Sequence, residues 1–199
     1  MRMLKTLVLA ASLASTAAIA VPKVGEPAPA FTATDSNGKT VQLSDFKGKF
    51  VVLEWSNNEC PFVKKHYSSG NMQSLQKEET GKGVTWLTVI SSAPGKQGNV
   101  DGKQANALSK ERGAVPTAVL LDPSGKLGHE YEAKTTPHMF VVDPKGTLVY
   151  MGGIDSVASA DAEDIAGARP YVKVALAEAM AGKPVTDAVT KPYGCSVKY

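Results

Sequence analysis

The segment from Val51 to Tyr67, VVLEWSNNECPFVKKHY, constrains the fold of this chain more than any other. Its apolar start predicts a buried strand, and the polar residues that follow predict a short turn. Cys60 comes next, directly before Pro61, and proline is favoured at the first position of a helix. The sequence therefore predicts a cysteine at a helix start. Unpaired N–H groups and the helix dipole stabilise a thiolate there, which lowers the thiol pKa below its usual value of about 8.5.

The first twenty residues predict an export signal. Arg2 and Lys5 supply positive charge, Leu7–Ile19 is apolar, and Ala18-Ile19-Ala20 is typical of a cleavage site. The apolar stretch is too short and too rich in Ala and Ser for a stable membrane span. We therefore expect residues 1–20 to be a signal peptide, and the mature protein to be periplasmic or secreted without stable membrane insertion.

The remaining residues predict a single α/β domain over residues 21–185. Strand and helix patterns alternate, and the Asn37-Gly38 pair predicts a β-hairpin near its start. This order predicts an α/β sandwich with a mixed central sheet. Pro123–Glu132 is predicted as a short helix, with a β-turn over Asp122–Gly125 as the alternative. Residues 186–199 are expected to form a C-terminal tail without regular structure.

The chain has two cysteines, Cys60 and Cys195. They can pair in an oxidising compartment, and two interpretations stay open, a redox-active pair or a static bridge. A static bridge would stabilise the fold by roughly 4–5 kcal/mol on the chain-entropy model. Gly194 permits an unusual backbone angle beside the second cysteine. The net charge is +3, of which the signal supplies two, so the charge does not favour a nucleic-acid partner.

Four motifs occur in order along the chain: GEPAPAF at Gly25–Phe31, LSDFKGK at Leu43–Lys49, NNECPFV at Asn57–Val63 and TPHMFVVD at Thr136–Asp143. Together they resemble the thioredoxin-fold redoxins, specifically the peroxiredoxin-like branch of the AhpC/TSA superfamily. The resemblance implies a thioredoxin-like three-layer sandwich with a mixed central sheet and an N-terminal β-hairpin. It also implies a cis Thr136–Pro137 peptide bond packed against the active-site cysteine.

The resemblance further implies an exported thiol-disulfide oxidoreductase or peroxiredoxin-like antioxidant protein. Cys60 would be the attacking thiol, and Cys195, in a flexible tail, would be the resolving thiol. Asn57 stands where a typical peroxiredoxin has threonine, and its amide can still donate a hydrogen bond. Lys64 lies about one helical turn after Cys60 and can supply positive charge. Val63 stands where a dithiol thioredoxin has its second cysteine, so Cys60 has no partner nearby in sequence.

Four residues are candidates for substrate binding. The backbone around a cis-proline can pair with an extended substrate strand, which points to Thr136 and Pro137. Trp55 and Phe62 flank the cysteine in sequence and are expected to shape an apolar substrate surface.

The expected partners are a thiol reductant, a disulfide-bearing protein or a peroxide. No nucleotide or flavin motif is present, so no organic cofactor is expected, and no metal site is assigned. One alternative is a redox-inactive binding module on the same fold. Another is a copper-binding chaperone, in which His138 would join Cys60 as a ligand. His138 could instead act as the base that activates the thiol.

Overall fold

The computed structural model describes residues 21–199, and the predicted signal peptide lies outside them. A seven-stranded sheet has the order β2-β1-β5-β4-β3-β7-β8, and β6 pairs with β9 separately. The strands are β1 (Thr32–Asp35), β2 (Thr40–Gln42), β3 (Val51–Trp55), β4 (Thr85–Ile90), β5 (Ala118–Leu121), β6 (Thr135–Thr136), β7 (His138–Val142), β8 (Leu148–Gly152) and β9 (Cys195–Ser196). Strands β3, β4 and β5 run parallel, whereas the other pairings are antiparallel, so the predicted mixed sheet is confirmed.

Helices cover both faces of this sheet. They are α1 (Pro61–Ser68), α2 (Asn71–Gly81), α3 (Gly102–Glu111), α4 (Lys126–Glu130) and α5 (Tyr171–Met180). One buried core joins α1, α2 and α5 to the sheet, and a second core joins α4 and residues 28–31 to the opposite face. The three-layer arrangement is therefore confirmed. Among residues 21–199, no helix is long and apolar enough to cross a membrane.

Side-chain alternation along β3 and β7 sorts residues between the two cores. Val52 and Met139 pack in the first core, which also contains Cys60. Trp55 and Phe140 pack in the second core, on the other face of the sheet. Successive side chains of a strand point to opposite faces, so this partition decides which strand residues can reach the cysteine.

Among the glycines in the left-handed region, where glycine carries no steric penalty, two lie in turns considered from the sequence. Gly38, at φ +81°, closes the predicted N-terminal hairpin between β1 and β2. Gly125, at φ +72°, ends a β-turn in which its N–H donates to Asp122 O at 3.0 Å. Helix α4 begins only after this turn, so the segment contains the predicted β-turn followed by a helix shorter than predicted.

The C-terminal tail is ordered, and its prediction as a segment without regular structure is wrong. Val189 forms a bridge with Met151, and Thr190 Oγ1 accepts a hydrogen bond from Gly153 N at 3.0 Å. Beyond them, β9 pairs with β6. A two-residue strand is too short to show a periodic pattern, so the sequence carried no signal for it.

Candidate active site

Cys60 occupies the N-cap of α1, and Pro61 is in the first turn, as the sequence predicts. The Cys60 carbonyl accepts hydrogen bonds from Val63 N at 3.0 Å and Lys64 N at 2.9 Å. Its own N–H donates to Asn57 O at 3.1 Å. The sulfur therefore lies where β3 ends and the first helical turn begins, beside N–H groups that have no partner within the helix.

Two other segments meet at the Cys60 sulfur. Its Sγ donates to Thr136 O at 3.1 Å, and the Thr136–Pro137 peptide bond is cis, which confirms that prediction. Cys195 lies opposite Thr136 in the β6–β9 ladder. Both cysteines are free thiols, and Cys60 is 0% exposed whereas Cys195 is partly exposed. The structure thus brings the two predicted thiols to one place.

The surroundings set the order in which the two thiols ionise. Burial raises the pKa of Cys60, but hydrogen bonds from the thiol of Cys195, the hydroxyl of Thr136 and the N–H groups of Val63 and Cys195 outweigh it and lower that pKa below its usual value. The Thr136 hydroxyl is buried and has no hydrogen-bond partner among the described residues, so it is free to donate to the Cys60 thiolate. Burial, followed by hydrogen bonding to Cys60 and its charge, raises the pKa of Cys195 to about 11. Cys60 is therefore the thiol that ionises first.

The side chains of Asn57 and Lys64 were predicted to stabilise charge on the Cys60 sulfur, but neither contacts it in the structure. The Asn57 amide is buried, where Oδ1 accepts from Glu59 N at 2.9 Å and Nδ2 donates to Gln97 O at 3.3 Å. These bonds hold the turn before Cys60 against the loop around residue 97. Lys64 is exposed on α1. The predicted charge stabilisation by these two residues remains a prediction.

Trp55 and Phe62 were both predicted to shape an apolar substrate surface, but they lie on opposite faces of the sheet. Trp55 is 0% exposed in the second core, where its ring packs on Tyr131 and its Nε1 donates to Ser91 Oγ at 3.0 Å. The prediction of a substrate contact at Trp55 is wrong, because its place in β3 turns it away from Cys60. Phe62 is half-buried against the core of Cys60 and packs edge-on against Tyr193, with ring centroids 6.0 Å apart. Its role in substrate binding stays a prediction.

His138 also faces away from the cysteine. Its ring packs against Phe140 at 4.4 Å, and its Nδ1 accepts from Lys134 N at 3.2 Å. Burial, and then the charge of Lys134, lowers the pKa of His138 to about 3. Neither the base nor the copper ligand considered from the sequence is formed by Cys60 and His138. Within residues 21–199, no three His, Cys, Asp or Glu side chains form a group able to hold a metal ion.

A buried polar cluster, which the sequence did not predict, joins α1 to the segment before Cys195. His66 Nε2 lies 3.2 Å from Tyr193 OH, which donates to Asp155 Oδ1. Lys65 Nζ lies 4.0 Å from Asp155 Oδ2. Burial lowers the pKa of His66 to about 4, although Asp155 opposes the shift. The cluster fixes Tyr193 two residues before Cys195, and no sequence signal links residues so far apart.

Comparison with known proteins agrees with this geometry. Residues 24–151 match the AhpC/TSA family. Thiol-disulfide oxidoreductase ResA of Bacillus subtilis (strain 168) is 30% identical over 126 residues, which cover 63% of this chain and 64% of ResA. Peroxiredoxin Bcp of the same strain is 24% identical over 119 residues, covering 55% of this chain and 64% of Bcp. The chain therefore spans less than two thirds of the length of either relative.

Solved structures extend the likeness over more of the chain. A conserved protein of Geobacillus kaustophilus superposes with a TM-score of 0.75 at 26% identity, covering 89% of this chain and 92% of that one. The thioredoxin domain of a Bacteroides vulgatus thiol-disulfide oxidoreductase has a TM-score of 0.52 at 23% identity, with 73% and 96% coverage. The latter likeness confirms the thioredoxin-like fold. Because the family match spans well over half of the chain, the protein belongs to the AhpC/TSA family.

Proposed function

We propose that this protein is an exported, peroxiredoxin-like thiol-disulfide oxidoreductase in which Cys60 attacks and Cys195 resolves. The observation that carries the proposal is that Thr136, whose carbonyl accepts from the Cys60 thiol, pairs directly with Cys195, so that two free thiols meet at one place. The pKa values of the two thiols are also shifted in opposite directions. A nucleophile needs its thiolate, and Cys60 is the thiol that ionises first. The relatives named as an oxidoreductase and a peroxiredoxin support the same chemistry.

With a peroxide, the Cys60 thiolate attacks one oxygen and the O–O bond breaks. The departing oxygen takes a proton and leaves as water or an alcohol, and Cys60 becomes a sulfenic acid. The Cys195 sulfur then attacks the Cys60 sulfur, and the sulfenic oxygen leaves as water with the proton from Cys195. The product is a Cys60–Cys195 disulfide, which a dithiol reductant returns to two thiols.

With a disulfide-bearing partner, the same thiols act in the same order. The Cys60 thiolate attacks one partner sulfur, the partner disulfide breaks, and the other partner sulfur leaves as a thiolate. Cys195 then attacks Cys60 in the mixed disulfide and releases the second partner sulfur. The partner gains two electrons, and the Cys60–Cys195 pair loses them. Thr136 and Pro137, at the sulfur, are proposed as the substrate contacts, together with Phe62.

The raised pKa of Cys195 keeps this thiol protonated until Cys60 has attacked the substrate. The charge of Cys60 and its hydrogen bond contribute to the raised pKa of Cys195. Once Cys60 has become a sulfenic acid or a mixed disulfide, that negative charge is gone. Cys195 then loses its proton more easily and becomes a better nucleophile at the moment it is needed.

Disulfide mapping tests the proposal. The reduced full chain is treated with a slight excess of hydrogen peroxide and digested without reductant, and the cysteine peptides are identified by mass spectrometry. We expect a Cys60–Cys195 link in wild type and a stable sulfenic acid at Cys60 in Cys195→Ser, because the second thiol is then missing. Oxidation of Cys60 in wild type without that link would remove Cys195 from the mechanism.

Export is tested separately. Expression of the full chain in a bacterium, followed by fractionation and N-terminal sequencing, should give a mature protein that begins at Val21 in the periplasm or medium. A protein that retains residues 1–20 in the cytoplasm would contradict the proposed signal peptide.

The redox-inactive binding module is supported by one observation, the complete burial of Cys60. In that case the two thiols would form a structural contact and the groove at Pro137 would hold a partner. Failure of hydrogen peroxide and of small disulfides to oxidise Cys60 in the folded protein would favour the module.

A further inference from the structure

Strand β9 occupies the edge next to the cis-proline. Strand β6 ends at Thr136, directly before Pro137, and pairs antiparallel with β9 in the register Thr136–Cys195 and Thr135–Ser196. The pairing continues one residue further, where Val197 N donates to Lys134 O at 3.2 Å. An extended peptide that adds to a free strand edge makes the same kind of backbone hydrogen bonds.

The close approach of β9 to β6 depends on Gly194. Its φ of +135° lies in the region that side-chain-bearing residues rarely adopt, and an added Cβ would lie 2.0 Å from Thr136 O. No other residue fits there without moving the segment. The backbone immediately before Cys195 is thus packed directly on the backbone that contacts Cys60.

Both ends of the segment are anchored. Before β9, the hydroxyl of Tyr193 is held in the buried cluster with Asp155. After β9, the ring of Tyr199 stacks on His129 with centroids 4.0 Å apart, and its hydroxyl donates to Ala133 O at 2.8 Å. Ala93 N also donates to Lys198 O at 2.8 Å. Residues 193–199 are therefore held over the cysteine from two sides.

From these contacts we infer that residues 193–199 act as an internal substitute for a substrate strand. The segment pairs with β6 in the way that an extended partner chain would. It places Cys195 where such a partner would place its own cysteine. One set of backbone groups on β6 cannot pair with two strands at once. The closed form therefore excludes extended protein partners from Cys60. Its substrate class is a small oxidant, such as hydrogen peroxide or a small disulfide, and an extended polypeptide disulfide reacts only after β9 has left. This choice of substrate rests on the proposed function, whereas the occupancy of the β6 edge does not.

Alkylation of Cys60 measures how often the strand opens. The reduced full chain is treated with a small reagent, iodoacetamide, or with a maleimide carrying a polymer, and modification of the Cys60 peptide is followed by mass spectrometry. Tyr199→Ala removes the distal anchor without touching either thiol. We expect the polymer reagent to modify Cys60 at least ~10-fold faster in this variant than in wild type. This corresponds to a decrease of about 1.4 kcal/mol in the free energy of opening the strand.

A second variant acts at β9 itself. Gly194→Ala is expected to accelerate modification by the polymer reagent as strongly as Tyr199→Ala does. Its matched control is Gly182→Ala, because Gly182 also has a positive φ of +68° but an added Cβ there meets no atom within 4 Å. Val115→Ala, at an exposed position, is the control for Tyr199→Ala. Emission from the buried Trp55 and Trp86 shows whether each variant remains folded.

The inference is overturned if the polymer reagent modifies wild-type Cys60 as fast as it modifies the folded variants. It is also overturned if Tyr199→Ala and Gly194→Ala both keep the wild-type rate. The two ideas can fail separately. If the variants react faster with the polymer reagent but peroxide forms no Cys60–Cys195 disulfide in wild type, the inferred strand is supported and the proposed function is rejected. If the inferred strand and the proposed function are both correct, Cys60 in the two variants should react faster than in wild type. The increase should be larger with a disulfide-bearing protein than with hydrogen peroxide.

Discussion

Thr136 and Cys195 face each other across the β6–β9 ladder, and the sulfur of Cys60 donates to Thr136 O at 3.1 Å. Thr136 accepts from the thiol through its carbonyl, and its buried hydroxyl is available to a thiolate. Cys195 pairs with Thr136 in the ladder, and hydrogen bonding from its thiol lowers the pKa of Cys60. One short ladder thus sets both the ionisation of the first thiol and the position of the second.

The pH dependence of Cys60 alkylation should show how the hydrogen bonds at this ladder change the pKa of Cys60. Because hydrogen bonds lower the pKa of Cys60, the rate should rise to half its maximum at a pH below the ordinary thiol value of about 8.5. Cys195→Ala removes one of those donors and should move the midpoint to higher pH. Cys195→Ser keeps a hydroxyl donor and should move it less. An identical midpoint in Cys195→Ala and wild type would contradict the assigned hydrogen bond.

Tyr193→Phe should weaken the anchor before β9. The change removes the hydroxyl that lies between His66 and Asp155 and leaves buried polar atoms unpaired. We expect a loss of about 1–3 kcal/mol in the free energy of unfolding, measured by urea denaturation. Formation of the Cys60–Cys195 disulfide should also slow, because the second thiol is held less firmly.

Tyr171, the first residue of α5, is half-buried against the first core and provides a matched control for that change. Tyr171→Phe should leave both the stability and the rate of disulfide formation near wild type. Equal effects of the two substitutions would show that the buried cluster has no special part in placing Cys195.

Gly98→Ala should disturb the turn that carries Cys60. An added Cβ at Gly98 would lie 2.3 Å from Asn57 Oδ1, the atom that accepts from Glu59 N. Gly95 has nearly the same φ, +77° against +80°, but an added Cβ there meets nothing within 4 Å. We expect Gly98→Ala to cost at least ~1 kcal/mol more stability than Gly95→Ala in thermal unfolding, and only Gly98→Ala to slow alkylation of Cys60. Equal losses would assign the effect to backbone strain alone.

Stability should fall as the solution becomes acidic. In the folded protein, burial lowers the pKa of His66 to about 4 and that of His138 to about 3, whereas unfolded histidine titrates near 6.5. The unfolded chain therefore binds more protons between these values, so stability present above about pH 6.5 is lost as the pH falls toward the folded pKa values. The urea midpoint should drop between about pH 7 and about pH 4.5, and His66→Asn should flatten that drop. A slope unchanged in His66→Asn would contradict the buried neutral state of this side chain.

Local chemistry allowed several features to be predicted from the sequence. A cysteine followed by proline at the end of an apolar run specifies a thiol at a helix start, and Asn37-Gly38 specifies a hairpin. The cis bond at Pro137 and its place beside Cys60 were instead implied by the resemblance to the thioredoxin-fold redoxins, which rests on four motifs spread along the chain. The helix start and the hairpin are each specified by a few neighbouring residues, so these two predictions need no knowledge of the rest of the chain.

By itself, the sequence thus determined the fold class, the cysteine at the helix start and the proline loop beside it. Only the tertiary structure decided which face Trp55 and His138 take, because β3 and β7 are buried on both sides and show no alternation of polar and apolar residues. It alone also decided that the segment around Cys195 is a fixed strand. The hydrogen bonds that hold this segment join residues distant in the chain, and no local pattern encodes such pairings.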